Sequence, residues 1–321
     1  MVCCATATCS SCRFEVQSAT SDGAWHWLTC IDVTAEPLLS SFTSSLKHTK
    51  MTTRIQFMSD LHLERVNYNY KIPCAASHLA LAGDIGRFCD YDEYAAFLKI
   101  QCQTFDQVLL VAGNNEFYSS SRQEALDAAN RLVQDPILQG KLVFLNRTRI
   151  DLAGSNITVL GCTLHSHIAS DCTQLNKDFT SIRNWNIEDH NREHELDVEW
   201  LCSSLQHIAD TDSQKQVIII THHAPSFKDT CHPMHENNAV SQCFCSNTLD
   251  AFRTWKGHEQ VSNWIFGHTH WNARFMRGNT IVQSNCLPNQ PRNLSWWRRF
   301  TMYRPFDPRA VIDTPARYWS N

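Results

Sequence analysis

Five short stretches of this chain put metal-capable side chains directly after an apolar, strand-like run: Asp60 and His62, Asp84, Asn114, His222 and His223, and His268 and His270. Carboxylate, imidazole and amide oxygen are borderline-to-hard donors, suited to iron, manganese or zinc rather than to calcium. Asp60 and His62 lie two apart after Arg54-Ile55-Gln56-Phe57-Met58, and on an extended segment residues i and i+2 point to one side. That pair reads as half of a metal site, with the other four stretches as the source of the rest.

Taken singly, each stretch has a plainer reading. An Asp or Asn after a strand is a turn former by about four to one, and a lone His is more often a hydrogen-bonded surface or core residue than a ligand. Five such placements, all at the same end of a strand, together outweigh those readings. In open α/β sheets ligands bind beyond the carboxyl ends of the strands, where loops carry polar groups without burying them unpaired. Gly83, Gly113 and Gly267 precede Asp84, Asn114 and His268, which fits sharp turns with unusual backbone angles.

The elements that must hold these residues alternate. Strand-like runs occupy 54–59, 78–82 and 108–112. Helical spacing at 91–104 opens on Asp92 and Glu93, the charges a helix N-terminus favours, and a helix over 121–133 is stopped by Pro136. Strand–helix–strand units of this length imply parallel strands with helical crossovers. Residues 141–145, 148–152 and 157–163 read as strands, and 189–209 as a helix carrying Leu196, Trp200, Leu201 and Leu205. Further strands are read at 216–220 and 264–266, with a helix over 246–256 between them. A hairpin of 272–276 and 279–284 turns at Gly278-Asn279.

In order, the five stretches spell DLH, GD, GNNE, HHAP and GHTH. This resembles the D-x-H, G-D, G-N-H-E, H-x-P and G-H-x-H pattern of the calcineurin-like metallophosphoesterase superfamily, over residues 54 to about 285. The resemblance implies an α/β fold, a four-layer α/β/β/α sandwich of two mixed β-sheets flanked by helices, enclosing two metal ions (Mn, Fe or Zn). It implies that the first ion takes Asp60, His62, Asp84 and His270. The second would take Asp84, Asn114, the His of H-x-P and His268, with Asp84 shared. His223 is the formal H-x-P match, because Pro225 lies two residues on; His222 either exchanges with it or faces the substrate. Two ions about 3.5–4 Å apart can share a hydroxide nucleophile and clamp phosphoryl oxygens, so the implied reaction is hydrolysis of a phosphate ester by in-line attack.

One position departs from the pattern. Where the family's G-N-H-E carries a His that contacts the phosphate and helps protonate the leaving group, this chain has Asn115. An amide can hydrogen-bond a phosphoryl oxygen but supplies no proton at neutral pH, and general acid catalysis contributes roughly 10²–10⁴-fold. Three outcomes stay open: a working hydrolase whose proton comes from elsewhere, with His222 and His165 as candidates; a slow one confined to good leaving groups; or a metal-binding protein that recognises a phosphorylated ligand or partner without turnover. For His165 the plainer reading is a loop residue after a strand, by about two in three.

The remaining composition bounds the answer. A 321-residue chain with 43% hydrophobic and 19% charged residues suits one large or two ordinary soluble globular domains. A net charge of −4 without a basic run gives no nucleic-acid footprint, and no apolar run approaches the roughly 18–20 residues of a membrane span. The 15 cysteines are irregularly placed and odd in number, which favours a reducing, cytoplasmic setting. Of Cys3, Cys4, Cys9 and Cys12, the last two make one CxxC without a second such pair, and Cys243 and Cys245 make none, so a zinc site at either place is given about one chance in ten.

Residues 1–50 are rich in Ser, Thr and Cys and carry too little apolar surface to fold alone; they read as a weakly ordered extension, with translation expected to start at Met51. The phosphoesterase domain is expected over 51–321. His190 and His194 read as a solvated or interhelical helix face. Trp296–Tyr303 reads as Arg stems lying over aromatics, and Val311-Ile312 as a short edge strand. A small-molecule phosphate ester or phosphorylated ligand is the expected partner, and oligomeric state is not legible.

Overall fold

A computed structural model of the chain describes residues 53–236, 238–287 and 304–313. The chain divides into two units, Met1–Met51 and Thr52–Asn321, and the described residues belong to the second. The sequence readings for residues 1–50, including the four N-terminal cysteines, and for 296–303 lie outside the described residues.

Two mixed sheets face one another. The first has the order β11-β1-β2-β3-β4, from β1 (Arg54–Met58), β2 (His78–Ala82), β3 (Gln107–Val111), β4 (Leu142–Phe144) and β11 (Val311–Asp313). β1 to β4 run parallel, and β11 joins β1 antiparallel at the edge. The second has the order β5-β6-β7-β8-β10-β9, from β5 (Thr148–Asp151), β6 (Ile157–Cys162), β7 (Gln216–Thr221), β8 (Val261–Phe266), β9 (Arg274–Arg277) and β10 (Thr280–Ser284). Its inner strands are parallel, and its two edge strands pair antiparallel.

Parallel strands covered on both faces must be apolar throughout, and β7 shows how one run serves two cores. Ile218 and Ile220 enter the layer between the sheets with Ile55, Ala82, Val111 and Ile265, whereas Ile219 packs outward with Leu201, Leu205 and Trp264. All three isoleucines are fully buried, each stabilising the fold by about 1.5–3 kcal/mol. The outer layers are helical. α1 (Tyr91–Thr104) and α2 (Arg122–Gln134) cover the first sheet; α4 (Ile187–Thr211) and α5 (Thr248–Phe252) cover the second. A single turn, α3 (Asp178–Ser181), precedes α4. Ser121 and Glu124 start α2 with a reciprocal capping box.

Two elements differ from the sequence reading for identifiable reasons. β8 begins at Val261 rather than 264, because the polar Ser262 and Asn263 are buried with their hydrogen bonds satisfied by Val217 O and Gln283 Nε2. α5 is shorter than the expected 246–256 and is followed by turns leading to Gly257 at φ 88°, where a Cβ would lie 2.6 Å from Leu205 O.

The inward face of α4 is polar at its N-terminal half, with His190 and Asp197 buried before Leu201, Leu205 and Ile208. Asp197 anchors a network across the two sheets. Arg147, just before β5, donates to Asp197 Oδ1 at 2.7 Å and to Glu193 Oε2 at 2.9 Å; Arg122 of α2 donates to Glu193 at 2.6 Å; Leu164 N reaches Asp197 Oδ2 at 2.9 Å. Removing one partner of a buried pair leaves an uncompensated charge. Arg147→Met is expected to cost about 3 kcal/mol in urea denaturation, at the low end for such pairs because Arg147 is partly exposed.

Candidate metal centre

The five sequence stretches converge at the carboxyl end of both sheets, but not by the geometry the i, i+2 spacing suggests. β1 stops at Met58, and Asp60 and His62 stand in the left-handed region at φ 58° and 47°. Asp84, His268 and His270 do the same at 54°, 66° and 50°. Left-handed backbone is uncommon for residues other than glycine and clusters at functional sites. The loops after β1 and β2 continue to pair, His62 N donating to Asp84 O and Asp60 N to Gly83 O, both at 3.0 Å. These turns, rather than an extended strand, turn both side chains inward.

Two groups result. In the first, Asp60, His62 and His270 bring one donor atom each within 4.8 Å of one another. His270 Nε2 lies 3.7 Å from Asp60 Oδ1, and the His62 and His270 rings stack at 5.2 Å. In the second, Asp84, His222 and His268 do likewise. His222 Nε2 is 3.3 Å from Asp84 Oδ1, 3.2 Å from Asn114 Oδ1 and 3.1 Å from His268 Nδ1. Asp84 faces both groups, because its other oxygen, Oδ2, lies 3.7 Å from His62 Nε2.

Surrounding contacts fix which atom each side chain presents. His222 Nδ1 donates to Ala82 O at 2.9 Å, which turns Nε2 toward the group; His268 Nε2 donates to Cys243 O at 3.1 Å, which turns Nδ1 toward it. Asn114 Nδ2 donates to Asp178 Oδ1 at 2.8 Å and to Tyr118 Oη at 2.9 Å, so its Oδ1 turns to His222. Ser59 Oγ donates to Asp60 Oδ2 at 2.6 Å. The sequence reading gave no role to Asp178, Tyr118 or Ser59, and their one signal is position beside a ligand-bearing loop.

The two adjacent histidines take the reverse of the places the H-x-P match gave them. His222 continues the parity of Ile218 and Ile220 toward the first sheet, while His223 continues that of Ile219 and faces away. Among the described residues neither ring nitrogen of His223 has a hydrogen-bond partner; its ring packs on His268 at 4.2 Å, His165 at 5.7 Å and His190 at 6.1 Å. Room for His222 comes from glycines. A Cβ on Gly83, at φ 85°, would sit 2.3 Å from His222 Nδ1, and one on Gly113 would sit 2.2 Å from Asp84 Oδ1. Gly113 is therefore required for space, not for the positive φ the sequence suggested.

Glu116 holds the framework. Fully buried, it accepts from Asp84 N (2.8 Å) and Gly113 N (2.7 Å) on Oε2, and from Ile85 N (2.8 Å), Gly86 N (3.2 Å) and Tyr94 Oη (3.1 Å) on Oε1. Burial, then the charge of Asp84, push its carboxyl up to about 7. Nothing in the GNNE stretch itself signals this role for Glu116.

The electrostatics keep both carboxylates ionised and a proton on His222. Burial opposes the charge on Asp84 and Asp60, yet His222 (for Asp84) and His270 (for Asp60) hold both below the usual carboxylate range. Burial likewise opposes a charged His222, but Asp84 and its hydrogen bond raise it to about 10; burial and the His222 charge push His268 down to about 3. His62 Nδ1 lies 3.4 Å from Glu64 Oε1, while His62 Nε2 and His270 Nδ1 are buried without hydrogen-bond partners among the described residues. Orphaned imidazole nitrogens beside two carboxylates fit a dinuclear metal centre, since ligands of these types bind Mn, Fe or Zn.

Of the two remaining sequence candidates, Asn115 borders the second group and His165 lies outside both. Asn115 is buried; its N donates to Asp84 Oδ1 at 2.9 Å and its Nδ2 to Gly86 O at 3.2 Å. His165 is buried in the loop after β6, with Nδ1 3.6 Å from Asp197 Oδ2, and burial followed by the Arg122 charge lowers it to about 3. Cys243 and Cys245 are buried free thiols.

The calcineurin-like phosphoesterase family model matches residues 53–272, the span that carries both groups. The chain belongs to this family. It is 26% identical over 260 residues to an uncharacterized protein, L509, of Acanthamoeba polyphaga mimivirus, covering 73% of this chain and 90% of that protein. Phosphopantetheinyl hydrolase (PptH) from Mycobacterium tuberculosis shares the fold with a TM-score of 0.55 at 14% identity, covering 76% of this chain and 94% of that one. A dimetal phosphatase from Danio rerio matches with a TM-score of 0.45 at 14% identity, over 73% and 87%.

Gly113→Ala is expected to abolish retention of metal while far-ultraviolet circular dichroism stays native, because the new methyl displaces Asp84 locally. Glu116→Gln leaves N–H donors facing an amide group and is expected to lower stability by about 2–3 kcal/mol in chemical denaturation.

Proposed function

We propose that this phosphoesterase-family chain hydrolyses phosphate esters at a dinuclear centre of Mn, Fe or Zn. Asp60, His62, Asp84 and His270 hold one ion, and Asp84, Asn114, His222 and His268 hold the other. The observation that carries this reading is Asp84, whose two oxygens face one group each. When bound, such a pair of ions supplies Lewis-acid polarisation of a phosphoryl oxygen and an acidified water as nucleophile. The chain's own residues orient those donors: Ala82 O and Cys243 O fix the imidazole tautomers, and Asp178 aims the Asn114 amide.

Proton supply to the leaving group is the weak step. Asn115 carries no acidic proton, and its Nδ2 is engaged with Gly86 O. The Nδ1 proton of His222 is held by Ala82 O, and His165 is a neutral imidazole at physiological pH. The reading therefore favours esters whose leaving group departs unprotonated. The substrate is a small phosphate ester or a phosphorylated ligand, and a protein that binds such a ligand without turnover is the second reading, favoured by Asn115 alone.

With manganese supplied, an aryl phosphate is expected to turn over faster than an alkyl phosphate, and Asn115→His to raise alkyl-ester turnover by roughly 10²-fold or more. Equal efficiency on both esters would sink the missing-acid argument. If protein with two bound ions and bound inorganic phosphate cleaves neither ester, the binding reading takes over.

A further inference from the structure

His223 turns away from the metal centre into a second cluster of imidazoles, where three elements meet. The loop after β6 brings His165, the first turn of α4 brings His190, and the chain just beyond β7 brings His223. The ring centroids stand 5.2 Å (His165–His190), 5.7 Å (His165–His223) and 6.1 Å (His190–His223) apart, and all three residues are buried. Among the described residues, neither nitrogen of His190 makes a hydrogen bond of ordinary geometry, although the Ser166 backbone lies beside that ring, and neither does either nitrogen of His223. His165 Nδ1 has Asp197 Oδ2 3.6 Å away, and Asp197 is itself held by Arg147 and Leu164 N. The Trp185 ring is 5.8 Å from that of His165 and 6.1 Å from that of His190; its N–H and the Ser166 hydroxyl are likewise buried without partners among the described residues. Native interiors pair almost all such atoms, with protein, water or an ion.

We propose that His165, His190 and His223 bind a further divalent cation of the zinc class, separate from the dinuclear centre. Three neutral imidazoles, with a fourth position left to water, form an established zinc donor set. A tetrahedral ion with nitrogens at about 2.0–2.1 Å sets its ring centroids about 5.2 Å apart. The shortest side of this triangle has that length, and the longest, 6.1 Å, must close by about 0.9 Å to reach it. Among the described residues only the two groups of the metal centre bring three donor atoms within 4.8 Å of one another, so binding here requires the rings to turn. Rotation about Cβ–Cγ sweeps the nitrogens while leaving the centroid nearly in place, and that torsion is broad for His. Asp197, beside His165 Nδ1, stands where a carboxylate commonly backs a zinc-bound imidazole, with Nε2 left as the ligand atom. Burial lowers His165 to about 3 and His190 to about 2, so both stay in the neutral form that binds metal. The ion would clip the loop after β6, α4 and the end of β7 together, behind the His268 ring that packs on His223 at 4.2 Å.

The test needs no catalytic activity, so it succeeds or fails independently of the phosphoesterase reading. Full-length protein is loaded with zinc, passed over a chelating resin and assayed for metal per chain by mass spectrometry, with circular dichroism as the check on folding. His190→Gln and His165→Gln are each expected to lose one equivalent of zinc, while His207→Gln, on the exposed part of α4, loses none. Asp60→Asn and Asp84→Asn together remove the carboxylates of the dinuclear centre; that variant is expected to keep one equivalent, and to lose it when His190→Gln is added. Cobalt in place of zinc should give it the intense visible bands of a tetrahedral ion. If the dinuclear reading alone fails, the unaltered chain holds one equivalent that depends on His190. Two equivalents indifferent to His190 and His165 overturn the present proposal. Should both single His variants misfold, the paired Asp variant decides: no zinc in its folded form means that water alone fills the cluster, which also overturns the proposal.

Discussion

One carboxylate makes the site possible. When β2 and β3 end at Ala82 and Val111, their loops separate, and each leaves backbone N–H groups in an interior where water cannot reach them. Glu116 fills that gap and takes four of those N–H groups together with the Tyr94 hydroxyl. A buried donor without a partner costs about 1–3 kcal/mol, so this side chain fixes the backbone that aims Asp84 and Asn114. The same position sets a charge problem, because Glu116 and Asp84 are buried acids close enough to raise Glu116 toward neutrality. The imidazoles of His222 and His62 beside Asp84 relieve it from the other side.

The strain in the ligand loops follows from this arrangement. Five non-glycine residues at left-handed φ would be poor choices in a free loop. Here the paired loops after β1 and β2 and the carboxylate contact of His268 N with Asp60 over-determine the backbone. Side chains that would splay outward from an extended chain are turned instead into one space.

Much of this was legible in the residues, and what was not has a physical cause. The strands at 78–82 and the helix at 91–104 read directly, because an unbroken apolar run and a 3.6-residue spacing are strong local signals. The location of the site at strand ends also read directly, since metal-capable types recurred there. The choice between His222 and His223 did not, although Ile218, Ile220 and His222 share a parity that could have decided it. Polar Ser262 and Asn263 hid the start of β8, since their partners come from strands distant in sequence. Glu116, Asp178 and Tyr118 were silent for the same reason: their roles exist only through contacts that folding creates.

Asp84 also has a thermodynamic consequence. Because one carboxylate serves both groups, occupancy of one must alter the affinity of the other, and by linkage the factor is the same in both directions. A cation held by one group would neutralise the shared charge, which disfavours a second, and would compete with the proton that Asp84 favours on His222, whose loss frees a donor. The two terms oppose, and their balance shifts with proton activity. Loading of such a centre would therefore be a coupled equilibrium, in which a change of pH alters the cooperativity between ions.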